Sequence, residues 1–171
     1  RTSFYGRHGT CTVLPNAISL LDMPIENTTD QIDTLKRALL TMPEHTFFSI
    51  ARTYLGEVRT PFHKPAIADN LTSFLLRPQT REAVVAGITQ RDAEFLTAVA
   101  VLEEPAPDAL YTFFEGEKPF FEIQRHIANL IERLLILRAE TTTGPRLILN
   151  PVLSAELTAS ILDSGILFPS V

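Results

Sequence analysis

Between Thr28 and Glu132 apolar side chains recur at three- and four-residue intervals, interrupted by proline and glycine. That is the grammar of successive short amphipathic helices. The first begins after Thr28-Thr29-Asp30, which offers an N-cap, and places Ile32, Leu35 and Leu39 on one face. Thr41-Met42-Pro43-Glu44 predicts a second start, with Thr41 as cap, Pro43 at the first helical position and Glu44 completing a capping box. Phe47, Ile50, Ala51, Tyr54 and Leu55 follow at core spacing, and Gly56 suits the stop. Residues 57–63 read as a connector. Lys64-Pro65 opens a third helix with Ile67, Leu71, Phe74 and Leu75 inward, and Pro78 breaks it before a short helix that ends at Gly87.

Thr89-x-x-Asp92 resembles a capping box with Asp in place of Glu. The helix after it carries Phe95, Leu96, Val99 and Leu102 and stops at Glu103-Glu104-Pro105. Pro107-Asp108 opens a short helix closed by Gly116. Pro119 opens a longer one, whose buried stripe is predicted as Phe120, Ile123, Ile127, Leu130 and Leu134. The pattern then changes to two short apolar runs, Leu134–Leu137 and Leu147–Leu149, around Thr141-Thr142-Thr143-Gly144-Pro145, which is a β-hairpin signal. A last helix over 155–163 is predicted to be capped by Ser154 and released at Gly165. Residues 1–27 show no sustained period, yet Val13, Leu14, Ile18, Leu20 and Leu21 are apolar enough to predict that part of this arm docks on the body.

The order helix, helix, helix, strand, turn, strand over 91–150 resembles a winged helix, with "LLILRAETTTGPRLILNP" as the wing. Upstream, "IARTYLG", a loop and "HKPAIADNLTSFL" resemble a SAP-type helix–extended loop–helix. A SAP-like segment followed by a winged helix is similar to the accessory region of some XPB-type helicase proteins. The expected fold is mainly α with one small β-hairpin. An irregular arm (1–27) precedes a helical SAP-like domain (28–88), a winged-helix domain (89–153) and a C-terminal helix and tail (154–171). The resemblance implies a binding module in a DNA-associated process.

Charge changes where that binding is expected. The 171 residues carry 15 basic and 20 acidic side chains, a net −5, which excludes a basic, whole-surface nucleic-acid binder. Residues 1–30 sum to −1, residues 31–92 to +2 and residues 93–171 to −6. The SAP-like half is therefore the part that approaches a phosphate backbone most readily, while the last third as a whole repels one.

Candidate nucleic-acid contacts follow from helix ends and faces. Arg59, His63 and Lys64 cluster at a predicted helix N-terminus, where free N–H groups and the helix dipole favour an anion, with Arg52 nearby. Against this, Glu57 shares the loop and Pro65 lacks an N–H, as in an ordinary solvated connector. On the third winged-helix helix, the face opposite the stripe carries Glu122, Arg125, Asn129, Glu132 and Arg133, with Lys118 and Gln124 beside it. Arg125 and Asn129 suit base edges in a major groove. The same face also reads as a solvated surface on which Glu122–Arg125 and Glu132–Arg133 offset each other. Arg138 and Arg146 belong to the wing, as minor-groove contacts or as strand-end charges shielding an edge.

Other chemistry is sparse. A single cysteine, Cys11, excludes an intrachain disulfide and a thiolate zinc site, and agrees with a reducing compartment. The four histidines are scattered, and no GxxxxGK[ST] phosphate loop occurs. No nucleophile, base or metal-ligand set assembles from local spacing, so no enzyme, no catalytic residue, no metal and no cofactor is expected. No apolar run reaches a membrane span, and no signal peptide is read at the N-terminus, where the chain begins with Arg1 as a fragment does. The sequence therefore predicts a cytoplasmic chain. The Phe-Phe pairs 47–48, 113–114 and 120–121 each fall in a helical pattern with at least one ring expected in the core, and a ring left outward would mark a protein contact. The expected partners are duplex DNA, or a protein or second copy through a winged helix that binds no DNA. No membrane partner is expected.

Overall fold

The computed structural model describes residues 28–57 and 62–165, so the docking expected of the arm 1–27 and the placement of Arg59 lie outside the described residues. The elements run α1 (Thr28–Thr41), α2 (Glu44–Leu55), α3 (Lys64–Leu75), α4 (Pro78–Ala86), α5 (Gln90–Val101), α6 (Pro107–Phe113), α7 (Phe120–Glu132), β1 (Ile136–Thr141), β2 (Gly144–Leu149), a 3-10 turn (Pro151–Leu153) and α8 (Ser154–Asp163). The described chain is mainly helical with one small antiparallel sheet, as the periodicity predicts.

Most helix ends lie where local chemistry puts them. The Thr89 hydroxyl accepts from the Asp92 N–H at 3.2 Å while the Asp92 carboxylate accepts from the Thr89 N–H at 2.8 Å, a complete capping box. Two predicted caps move. Thr41 closes α1 instead of opening α2, and its hydroxyl donates to the carbonyls of Arg37 (3.0 Å) and Ala38 (3.1 Å). Met42 precedes a proline and is steered out of helical geometry, so the chain turns there and Pro43 becomes an N-cap with no side-chain bond. Ser154 lies inside a turn already begun. Asn150 accepts from the Val152 N–H at 3.1 Å, and Pro151 starts the 3-10 turn that feeds α8.

The junction of α7 and β1 is unusually abrupt. Leu134 takes the left-handed position after the helix at φ 55°. Its N–H bonds the Ile131 carbonyl (2.9 Å) and the Leu135 N–H bonds the Leu130 carbonyl (3.0 Å), the two bonds of a Schellman motif. Leucine costs about 1 kcal/mol in this conformation relative to glycine, but a glycine would leave out a fully buried side chain. The chain thus enters β1 without a loop. Thr141 pairs with Gly144, so the turn is only Thr142-Thr143, tighter than the apolar runs predict, with Gly144 absorbing the bend at φ 110°.

The base of the hairpin is buried on both faces. Leu137 and Ile148 face a core with Leu35, Leu39, Phe47, Ile50 and Leu71 of α1–α3. Ile136, Leu147 and Leu149 face a second core built on Phe95, Leu96, Ile123 and Leu130 of α5 and α7, completed by Leu157 and Ile161 of α8. Strand alternation therefore sends one set of side chains to each helical layer. The Leu147 N–H also bonds the Pro105 carbonyl at 2.9 Å, tying the α5–α6 link to the free edge of β2.

Candidate functional site

Lys64 and His63 satisfy their own fold. The His63 ring accepts from the Ala66 N–H at 3.3 Å as the N-cap of α3. The Lys64 ammonium donates to the carbonyls of Leu40 (2.8 Å) and Met42 (2.7 Å) and lies 5.1 Å from the Phe47 ring centroid. It thus closes the carbonyl end of α1, where the helix dipole favours a cation. Arg52 is exposed on α2.

The face of α7 differs from the predicted one. Glu122 turns to Arg91 of α5 at 2.7 Å, and Arg133 turns to Asp92 at 2.9 Å, so the neighbour pairs Glu122–Arg125 and Glu132–Arg133 do not form. Both side chains lie on the flank packed against α5, where a partner on another element is nearer than one along the helix. Gln124, Arg125, Asn129 and Glu132 remain exposed. Lys118 pairs with Glu94 at 3.1 Å and lies 4.9 Å from the Phe114 ring centroid. On the hairpin, Arg138 pairs with Glu140 (3.1 Å) and Arg146 reaches the Thr143 hydroxyl (3.1 Å). The predicted cations therefore stay dispersed: Lys64 beside α1, Lys118 at the start of α7, Arg125 along it, and Arg138 and Arg146 on the strands.

Asp92 sits at the centre of a polar cluster and is itself almost fully buried. Asp92 accepts from the Thr89 N–H and Arg133, and the His126 Nε2 lies 3.1 Å from its second oxygen without hydrogen-bond alignment. Arg133 also donates to the Gly87 carbonyl (2.7 Å), and its own carbonyl accepts from the Tyr54 hydroxyl (2.7 Å). Burial pushes the Asp92 carboxyl up, but the bonds from Arg133 and Thr89 together outweigh it and hold the group below the ordinary range. Burial lowers the His126 ring, which packs 4.4 Å from Phe95, and the Asp92 charge only partly offsets this. The cluster joins α2, the α4–α5 link, α5 and α7, and what it does chemically is hold them in register. His126 and Arg133, seven residues apart on one helix face, were the sequence signal for it.

The surface feature is aromatic. Phe113, Phe120 and Phe121 are 52%, 60% and 62% exposed, at the corner where α6 turns into α7. Phe120 leaves the predicted buried stripe because the core begins only at Ile123. Its ring meets the half-buried Tyr111 at 4.6 Å and is 60% exposed. Neither ring of the 120–121 pair is in the core, contrary to the expectation of one per pair. Below the corner, Phe114 is buried and stacks on Phe95 at 4.3 Å, which anchors α6 to α5.

Among the described residues no three His, Cys, Asp or Glu side chains gather as a metal site, and no helix is long and apolar enough to cross a membrane. A family model, TP_0021_N, described as an N-terminal domain, matches residues 23–76, the stretch holding α1, α2 and α3. No curated protein and no solved structure matches the chain.

Proposed function

We propose that the chain is a non-catalytic interaction module, a SAP-like helical part beside a winged helix, that docks a protein partner on the corner between α6 and α7. The winged-helix reading is supported by the order α5, α6, α7, β1, β2 and by the edge bond from Leu147 to Pro105. The SAP-like reading is supported by α2 and α3 flanking the connector. The observation that carries docking is the joint exposure of Phe113, Phe120 and Phe121. Exposed aromatic rings are costly in water and are enriched in the buried centres of protein interfaces.

A photo-crosslinking residue at position 121, in the full chain expressed in its native host, tests this reading. A discrete protein adduct, absent when the probe stands at Glu57, is expected. No adduct, or adducts to nucleic acid alone, overturns it.

Duplex DNA is the second reading, favoured by the exposed Gln124, Arg125 and Asn129 on α7. It predicts salt-dependent binding of a random duplex that Arg125→Glu weakens. Undetectable binding at low salt ends it.

A further inference from the structure

Resting on the protein-docking reading, we infer that the partner presented to the aromatic corner is a cationic polypeptide segment, one that sets aromatic or aliphatic anchors among lysines and arginines. Residues 101–122, which span the corner, carry six acidic side chains and one basic one, and among the described residues only Glu122 of the six is held by a base outside the segment, Arg91 at 2.7 Å. Glu103, Glu104, Asp108 and Glu115 are exposed and have no ion-pair partner among the described residues. The one base, Lys118, is taken by Glu94, and the exposed Glu117 lies only at the 4.0 Å limit from it. The exposed rings therefore belong to a segment whose acidic rim is largely unpaired among the described residues.

That rim discriminates between occupants. A second copy meeting this patch about a two-fold axis would bring one acidic rim against another. A phosphate backbone or an anionic lipid surface meets the same repulsion. A basic segment is attracted to the rim before contact, and its apolar side chains bury Phe113, Phe120 and Phe121. Rim charge then sets the encounter rate and salt dependence, while the rings set the lifetime of the complex.

The test is selection of a random peptide display library on the purified full chain, followed by titration of one enriched peptide at low and high salt. Enriched peptides are expected to combine Lys or Arg with Phe, Leu or Trp. Phe121→Ser with Phe120→Ser should weaken binding by roughly tenfold or more. Glu115→Lys with Glu117→Lys should weaken it about tenfold at low salt and much less at high salt. Each variant's urea midpoint reports that it still folds. Enriched peptides that are neutral or acidic, yet lost on the Phe variants, overturn the cationic partner and leave protein docking standing. Enrichment that ignores the Phe variants, or none at all, overturns both.

Discussion

The guanidinium of Arg133 and the carboxylate of Asp92 are 2.9 Å apart in a site where Asp92 is almost fully buried. This pair joins the end of α7 to the start of α5. Through Gly87 and Tyr54 it also reaches the α4–α5 link and α2. Arg133→Met removes the cation and leaves the buried carboxylate with the Thr89 N–H bond and the His126 ring 3.1 Å away. Destabilisation of about 2–4 kcal/mol is expected from the loss of one partner of such a pair, read as a lowered urea midpoint with unchanged slope. A change within the scatter of surface substitutions would show that the bridge adds nothing.

The same cluster sets a pH dependence. His126 is lowered by burial, so between its folded value and its unfolded value of about 6.5 the unfolded state binds more protons. Its contribution is complete above that value and is lost as pH falls through the window. Asp92, held low by Arg133 and Thr89, acts with the same sign at more acid pH, losing its contribution as pH falls below about 3.9 toward its folded value. Stability measured by urea denaturation should therefore decline from pH 7 to pH 5, and His126→Gln should flatten that part of the profile. An unchanged slope in the variant would exclude His126 as the titrating group.

Asn150 is fully buried and does two jobs, donating to the Leu134 carbonyl at 2.8 Å and accepting from the Val152 N–H at 3.1 Å. Asn150→Ala leaves both backbone groups unpaired and should cost about 2–3 kcal/mol. Leu134→Gly relieves the left-handed backbone but empties a core position. It should still destabilise, by about 1–3 kcal/mol, because the lost burial exceeds the relieved strain. Thermal unfolding of the two variants checks both values, and a stabilising glycine would contradict the packing argument.

Lys64 caps α1 from a distance in sequence, through Leu40 and Met42. Lys64→Met keeps the stem over Phe47 and loses the ammonium, so a loss of about 1 kcal/mol is expected. A denaturation curve that overlays the wild type would free this side chain for an external anion.

Phe120 and Phe121 stand outside the core, so Phe120→Ser with Phe121→Ser should shift stability by no more than about 0.5 kcal/mol per site. A large loss in the calorimetric midpoint would mean that these rings support the fold.

Much of the secondary structure was legible because its determinants act within a few residues. The Thr89–Asp92 capping box, the prolines opening α3, α4 and α6, and the apolar runs of the hairpin all lie where the pattern puts them. Thr41 moved because Met42, before Pro43, turns the chain and leaves Thr41 as the last residue of α1 with its hydroxyl on the Arg37 and Ala38 carbonyls; Ser154 moved because the Asn150-capped 3-10 turn begins before it. The candidate surface was less legible. Spacing put Phe120 on the buried stripe of Ile123, Ile127 and Leu130, and the structure leaves it exposed, because spacing carries no information on where the opposing layer ends. Likewise Arg133 and Glu122 are set by which of several nearby charges on α5 they reach, and that choice exists only once α5 and α7 are side by side.

By itself, then, the sequence determined the helical segments, the hairpin and the concentration of negative charge toward the C-terminal half. Periodicity, capping and composition are local properties of the chain. The tertiary structure alone decided that the base of the hairpin is covered on both faces, that Lys64 and Arg133 hold helices together, and that an aromatic corner stays uncovered. Burial and pairing depend on which distant element stands opposite a side chain, and only the packed chain brings those elements together.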